Sequence, residues 1–281
     1  MRDVWDPAEA IALLCEWIRI DTCNPPGNER RLALAIRDIL KKWDIPVQIR
    51  DVGENRSNVT AVLPGKGGGR KLLFCGHLDT VAAWPAAEGS FPPHGAVAEG
   101  GRIYGRGAAD MKSGLAAMLL ALVSLKRDGI RPEGELMFLA TAGEEADCCG
   151  AQAFVRDGGL RGVDAVVIGE PTGNRVVTGH KGALWLRLAA YGKSAHAAMP
   201  EAGRNAVEAA MEAAARLRRE AAGWRERDAL LGAPSLAVTR IRGGAQINVV
   251  PDYCELEADI RFVPPLSGEV LYHRLEAALA G

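Results

Sequence analysis

Acidic and histidine side chains follow three predicted buried strands of this sequence, each at the point where the strand ends. In an open α/β sheet the carboxyl ends of the strands face a common crevice, which is where ligands bind. We therefore expect the side chains at these strand ends to converge. They are His77 and Asp79 after residues 72–76, Glu144 and Glu145 after residues 136–141, and Glu170 after residues 165–169.

A further carboxylate, Asp110, lies where a long apolar helix is predicted to begin, and the helix dipole favours a negative charge there. Unpaired, the carboxylates in one crevice would repel one another, and a divalent cation bound between them is the simplest way to remove that repulsion. Asp79 stands two residues after His77. Its carboxylate can hold the second imidazole nitrogen, as metal-bound histidines usually require.

Each acidic position also has an ordinary explanation that needs no metal. Asp110 alone could cap its helix, and Glu144 with Glu145 could supply negative charge at a helix start. Glu170, which precedes Pro171, could be a solvated loop carboxylate. All of these positions fall at the ends of elements that share one crevice, and this coincidence favours metal binding.

The elements that would position these side chains form an α/β arrangement. Up to about residue 178, short apolar runs alternate with helical segments, which predicts buried strands in a sheet that helices cover on both faces. The remaining chain follows a β-α-β-β-α pattern, and apolar and charged residues alternate along residues 254–262, as in a strand with one solvent-exposed face. We expect a domain of residues 1–178 and a smaller α+β domain of residues 179–281.

The composition is that of a globular chain and excludes several kinds of partner. Hydrophobic residues make up 48% and charged residues 25%, and a net charge of -1 gives no electrostatic basis for binding nucleic acid or an anionic membrane. The most apolar stretch, residues 115–125, is too short to span a bilayer, and residues 1–6 lack the apolar core of a signal peptide. We expect a cytoplasmic protein. The six cysteines show no paired C-x-x-C spacing, so a thiolate zinc site is not predicted.

Four motifs stand in an order that resembles a known group of enzymes. They are GHLDTV at residues 76–81, GRGAADMKSG at 105–114, AGEE at 142–145 and GEPT at 169–172. Together they resemble the co-catalytic zinc hydrolases that include acetylornithine deacetylase, succinyl-diaminopimelate desuccinylase, carboxypeptidase G and aminoacylase. The resemblance extends over essentially the whole chain. It implies a catalytic domain with a central mixed sheet flanked by helices, and a smaller α+β lid that also forms the dimer.

The resemblance implies a role for each side chain at the crevice. The cofactor would be Zn²⁺, up to two ions per subunit, with Co²⁺ or Mn²⁺ as substitutes. Two cations lower the pKa of a bound water and polarise the scissile carbonyl. By position, Asp110 would bridge the two ions, His77 and Glu170 would complete one, Glu145 would bind the other, Glu144 would be the general base, and Asp79 would orient His77.

Three residues of the smaller domain also match functional positions of the family. His196 would reach the active site of the partner subunit and stabilise the oxyanion, which requires a homodimer formed through the lid. Asn248 and Arg261 would hold the substrate, Arg261 through the substrate carboxylate. Because Arg261 follows Asp259 on the polar face of its strand, it could instead form a surface ion pair.

The implied activity is that of a metal-dependent amidohydrolase or metallopeptidase. Metal-activated water would cleave the amide bond of an N-acyl amino acid or a small peptide. The family supplies a final metal-binding histidine after the lid, whereas this sequence ends at Gly281, and His273 lies on the polar side of the last predicted helix. We therefore expect a fragment or an incomplete second metal site. The alternative is a non-catalytic remnant that dimerises and binds one zinc ion or an acyl amino acid without turnover. About two zinc ions per chain would support the hydrolase, and one or none would support the remnant.

Overall fold

The computed structural model describes residues 6–83 and 90–280. Two compact units divide the chain, residues 1–175 and residues 176–281. Residues 1–5 belong to the segment in which no signal peptide is predicted, and they lie outside the described residues. The functional assignment of the two parts remains a prediction, with residues 1–178 as the catalytic domain and residues 179–281 as the lid.

A mixed five-stranded sheet forms the centre of the first unit. In chain order the unit contains α1 (Pro7–Arg19), β1 (Cys23–Asn24), α2 (Arg30–Lys42), β2 (Val47–Gly53), β3 (Arg56–Leu63), β4 (Leu72–His77), β5 (Thr80–Val81), β6 (Val97–Glu99), β7 (Arg102–Tyr104), α3 (Lys112–Arg127), β8 (Leu136–Thr141), α4 (Cys149–Arg156) and β9 (Ala165–Ile168). The strand order is β2-β3-β8-β4-β9. β4 runs parallel to both β8 and β9, whereas β3 is antiparallel to β2 and β8. The predicted α/β class is confirmed, and the carboxyl ends of β8, β4 and β9 meet at one edge.

The two strands beside β4 differ in burial. All six residues of β8 are buried, as the apolar run predicts for a central strand. The prediction that residues 165–169 form a buried strand is wrong, because all four residues of β9 are exposed. β9 lies at the edge of the sheet with β4 as its only strand neighbour among the described residues. Its apolar side chains are exposed to solvent, and the exposed fraction of Ile168 is 59%.

Helix α1 begins as its sequence predicts. The Asp6 carboxylate accepts the N–H of Ala8 at 2.9 Å, and Pro7 occupies the first turn, where its missing N–H costs nothing. No helix in residues 6–83 and 90–280 combines the length and the apolar character needed to cross a membrane.

Helix α3 packs between α1 and the sheet, and its apolar side chains Leu115 and Leu119 are fully buried. At its first residue the Lys112 side chain is also buried, and its ammonium donates to the main-chain carbonyls of Trp17 at 3.0 Å and Ile20 at 2.8 Å. These bonds compensate the burial of the charge and fix the end of α3 that follows Asp110.

The second unit consists mainly of an antiparallel three-stranded sheet and two long helices. Its elements are β10 (Gly182–Tyr191), β11 (Ala195–His196), a 3₁₀ turn (Pro200–Ala202), α5 (Ala206–Ala222), β12 (Ser235–Gly243), β13 (Val249–Val250), β14 (Tyr253–Phe262) and α6 (Gly268–Ala280). The sheet order is β10-β14-β12. Leu256 and Ile260 on β14 are fully buried and pack with Leu217 of α5 and Leu271 of α6. The predicted alternation along residues 254–262 is therefore confirmed, with one face of the strand under the helices.

Candidate active site

His77 lies at the centre of a group of carboxylates in the first unit. It is the last residue of β4, and only 2% of its side chain is exposed. Its Nε2 atom lies 3.1 Å from Asp110 Oδ1, 3.7 Å from Glu170 Oε1 and 3.9 Å from Glu144 Oε2. One carboxylate oxygen of Glu145 lies within 4.8 Å of both the His77 and the Asp110 ligand atoms. The side chains predicted to share a crevice are thus brought together.

The sheet topology explains this convergence. Because β8, β4 and β9 are parallel, the residues that follow them emerge at the same edge. His77 ends β4, the Glu144–Glu145 pair follows β8, and Glu170 follows β9 after one glycine. Asp110 comes from the segment just before α3, whose first residue Lys112 is held by its buried hydrogen bonds.

Asp79 contacts His77 in a different way from the one expected. The His77 Nδ1–H donates to the main-chain carbonyl of Asp79 at 2.9 Å, and the Asp79 carboxylate is 3.6 Å from Nδ1. The buried carboxylate instead accepts the N–H groups of Glu144 and Glu145, both at 3.1 Å, and the Asn24 amide at 2.9 Å. Asp79 therefore orients His77 through its backbone and fixes the turn that carries the two glutamates.

Two buried side chains that the sequence pattern does not indicate also hold the turn that carries Glu144 and Glu145. Glu29 is fully buried, accepts the Gly143 N–H at 3.1 Å and pairs with Arg56 at 3.0 Å. Asn58 accepts the N–H of Ala142 at 3.0 Å and donates to the main-chain carbonyl of Gly150, in α4, at 2.8 Å. The turn thus has fixed main-chain positions, while the glutamate side chains extend from it toward His77.

The electrostatics of the group favour a positive charge at its centre. Burial, together with the charge of Asp110, raises the pKa of Glu145 to about 7, and burial also raises the pKa of Glu170. Burial acts to lower the pKa of His77, but its contact with Asp79 and the charges of Glu170 and Glu144 raise that pKa to about 9. Near neutral pH the His77 imidazole is therefore protonated and the Glu145 carboxyl partly so, and a bound cation would displace these protons.

The donor set suits a divalent metal ion. It offers one imidazole nitrogen, fixed in orientation by its other ring nitrogen, and several carboxylate oxygens, with no thiolate among the converging side chains. Zinc accepts such nitrogen and oxygen ligands, and the oxygen-rich set also suits harder ions such as Mn²⁺. The arrangement can hold a metal ion with a carboxylate left over for proton transfer.

Comparison with known proteins identifies the family. Residues 73–280 match the model of peptidase family M20/M25/M40. The chain belongs to this family. It is 31% identical to the probable succinyl-diaminopimelate desuccinylase of Staphylococcus aureus strain Mu50, over 94% of this chain and 71% of the relative. It is 32% identical to the succinyl-diaminopimelate desuccinylase of Delftia acidovorans, over 79% of this chain and 60% of that protein.

Two solved structures share the fold, one of them an M20 family protein. The metallo-carboxypeptidase Sso-CP2 of Sulfolobus solfataricus superposes with a TM-score of 0.76 at 20% identity, covering 97% of this chain and 75% of the other. Human carnosine dipeptidase 1 gives a TM-score of 0.75 at 19% identity, over 97% and 74% of the two chains. The expected family, the α/β fold and the enzyme class of a metal-dependent amidohydrolase or metallopeptidase are thereby confirmed.

The three candidate residues of the predicted lid all lie in the second unit. His196 on β11 pairs in register with Val249 of β13, and the exposed imidazole Nδ1 accepts the N–H of Ala198 at 3.1 Å. Asn248, the residue before β13, accepts the Ala197 N–H at 2.9 Å through its main-chain carbonyl. The pairing of β11 with β13 thus brings His196 and Asn248 close together, although they are far apart in the sequence.

Arg261 forms the ion pair that its sequence neighbourhood suggests as an alternative. Its guanidinium binds the Asp259 carboxylate through two hydrogen bonds, at 2.7 and 2.8 Å. The roles of His196, Asn248 and Arg261 toward a substrate remain predictions.

A close approach of two glycines positions Glu170 and gives a first test. A Cβ atom at residue 114 would lie 1.9 Å from the carbonyl oxygen of Gly169, which directly precedes Glu170. We expect Gly114→Ala to lower the free energy of unfolding by about 1–3 kcal/mol, as overpacking does, and to weaken metal binding by displacing Glu170. Urea unfolding and a zinc competition assay measure the two effects.

Gly68→Ala is the matched control for this substitution. A Cβ at residue 68 meets no atom within 4 Å, so we expect wild-type stability and zinc affinity. Wild-type values for Gly114→Ala as well would contradict the role of this contact in holding Glu170.

Proposed function

We propose that this chain is a zinc-dependent hydrolase that cleaves the amide bond of an N-acyl amino acid or a small peptide. The observation that carries the proposal is the convergence of four carboxylates on the buried imidazole of His77, in a member of the M20 family. The Staphylococcus aureus relative, a probable desuccinylase, supports an N-acyl amino acid, whereas two structural neighbours, a carboxypeptidase and a dipeptidase, support a peptide.

Four side chains would hold the metal in this proposal. Asp110 would lie between two zinc ions, His77 and Glu170 would bind one, and Glu145 would bind the other. Zinc would supply a coordinated water of lowered pKa and would polarise the amide carbonyl. The Asp79 carbonyl keeps the His77 ring oriented by accepting its Nδ1–H, which leaves Nε2 free to act as a ligand.

Glu144 would transfer the proton. Its N–H is fixed by the Asp79 carboxylate, whereas 48% of its side chain is open to solvent. A carboxylate held in this way can take a proton from the attacking water and deliver it to the leaving amine. Glu145, its sequence neighbour, is more deeply placed against His77 and Asp110 and suits a ligand.

The substrate contacts of the second unit complete the proposal. Arg261 would bind the carboxylate of the substrate in place of Asp259, because a guanidinium recognises either carboxylate through the same two hydrogen bonds. Asn248 would bind the substrate, and His196 would stabilise the oxyanion formed in a partner subunit.

A substrate panel tests the proposed reaction. We expect the purified chain, supplied with zinc, to release amine from at least one class among N-acetyl, N-succinyl and N-formyl amino acids and dipeptides. Removal of metal by a chelator should abolish this release, and added Zn²⁺ should restore it. Tight zinc binding without turnover on any member of the panel would instead support the non-catalytic alternative.

The role of His196 depends on a homodimer formed through the second unit. The sheet order β10-β14-β12 leaves β10 at an edge, and this strand carries the exposed aromatic side chains Trp185 and Tyr191. An open edge with apolar side chains is able to pair across a two-fold axis. We expect a dimer in sedimentation equilibrium at micromolar concentration, and a monomer would remove the basis for His196 acting on its partner.

A further inference from the structure

We propose that Asp21, Cys23 and His94 form a separate binding site for a zinc-class divalent cation, which we call the Cys23 site. The Nε2 atom of His94 lies 3.8 Å from the Sγ atom of Cys23 and 3.6 Å from the Oδ1 atom of Asp21. All three atoms lie within 4.8 Å of one another. This site shares no residue with the candidate active site, and it does not depend on the proposed function.

The two distances measured from His94 are close to those between zinc ligands. With Zn–S near 2.3 Å and Zn–N or Zn–O near 2.0–2.1 Å, tetrahedral angles give a nitrogen-to-sulfur distance of about 3.5 Å and a nitrogen-to-oxygen distance of about 3.3 Å. Each distance measured from His94 exceeds its expected value by about 0.3 Å. The third distance, from Cys23 Sγ to the Asp21 carboxylate, is within 4.8 Å, so side-chain rotations would bring the three atoms around one ion. A water would be the fourth ligand.

The imidazole of His94 is oriented for metal binding. Its Nδ1 atom lies 3.3 Å from the main-chain carbonyl of Ile18, which can only accept a hydrogen bond. The proton therefore belongs on Nδ1, and the lone pair of Nε2 points toward Cys23 and Asp21. A lone pair that faces a carboxylate is repelled by it, and either a proton on Nε2 or a cation between the two removes the repulsion.

The chain segments that carry the three residues are held in place. The Asp21 carboxylate accepts the N–H of Cys23 at 2.9 Å, and β1, which contains Cys23, pairs with β5. The segment that carries His94 is held by Arg106, whose N–H donates to the carbonyl of Pro93 at 2.6 Å. A site built on fixed segments loses little conformational entropy when it binds an ion.

The chemistry of the donors indicates which ion would bind. A thiolate selects soft or borderline metals, and an imidazole with a carboxylate is typical of zinc rather than of calcium or magnesium. The Asp21 side chain is 57% exposed and the His94 side chain 28%, so an ion can enter from solvent.

Cadmium titration of the full chain tests the Cys23 site, since a Cd²⁺–thiolate bond gives a charge-transfer absorption in the ultraviolet and carboxylates do not. We expect this absorption to reach a maximum at about one thiolate-bound ion per chain and to be displaced by Zn²⁺. Cys23→Ser should abolish the absorption. His94→Ala should weaken Cd²⁺ binding at least tenfold, since loss of a residue that only hydrogen-bonds to a metal ligand already lowers affinity by about 10–100-fold.

Cys148→Ser is the matched control, because Cys148 is an exposed thiol near the glutamate turn and is the alternative source of a thiolate signal. This variant should keep the full absorption. Absence of the signal in the wild-type chain, or its persistence in Cys23→Ser, would overturn the proposal. Circular dichroism of each variant separates loss of the site from loss of the fold.

Discussion

Glu144→Gln is expected to lower kcat by about 10²–10⁴-fold while the chain still binds its metal. The substitution keeps the size of the side chain and the main-chain N–H that donates to Asp79, and it removes only the ability to accept a proton. Metal content and turnover of the same preparation measure the two properties separately.

Glu145→Gln is the matched comparison, because the same chemical change is made one residue away. A carboxylate oxygen of Glu145 lies within 4.8 Å of the His77 and Asp110 ligand atoms, so we expect this variant to lose zinc bound at the His77 group and to lose activity as a consequence. If instead Glu144→Gln lost the metal and Glu145→Gln kept it, the two roles would be exchanged.

The location of the candidate site could be predicted because it depends on topology and on local sequence. Short apolar runs ending in His77, the Glu144–Glu145 pair and Glu170 indicate parallel strands whose carboxyl ends meet, and the sheet places them so. The alternation along residues 254–262 likewise reflects burial of one strand face, a property of adjacent residues.

The support beneath the site could not be predicted, since it joins residues far apart in the sequence. Glu29 holds the N–H of Gly143 across 114 positions, and nothing near Glu29 indicates that partner. Asp79 illustrates a second limit, because residue spacing identifies the contact with His77 but does not distinguish a backbone carbonyl from a carboxylate. The apolar sequence of β9 predicts burial incorrectly for a related reason, since apolar composition does not reveal whether a strand lies at the centre or the edge of a sheet.

Asp110→Asn is expected to weaken zinc binding at the His77 group by more than about 100-fold. Loss of a residue that only hydrogen-bonds to a metal ligand lowers metal affinity by about 10–100-fold, and Asp110 would contact both ions directly. Its carboxylate lies 3.1 Å from His77, so a neutral amide there removes negative charge at the centre of the group. The side chain is 55% exposed, and we therefore expect the variant to fold normally.

The thermal shift caused by zinc provides the measurement for Asp110→Asn. An ion present at about 100 times its Kd stabilises the chain by about 2.7 kcal/mol, which raises Tm. All variants are compared in a Cys23→Ser background, so that the Cys23 site adds no shift of its own, and Asp110→Asn should then show almost no rise at the same concentration. Asp157→Asn is the control, since it removes an equal charge from the same unit at an ion pair with Arg50. That control should keep the full shift because its carboxylate pairs with Arg50 rather than with the His77 group. A full shift in Asp110→Asn as well would mean that zinc binds without this carboxylate, and a bridging position for Asp110 would then be wrong.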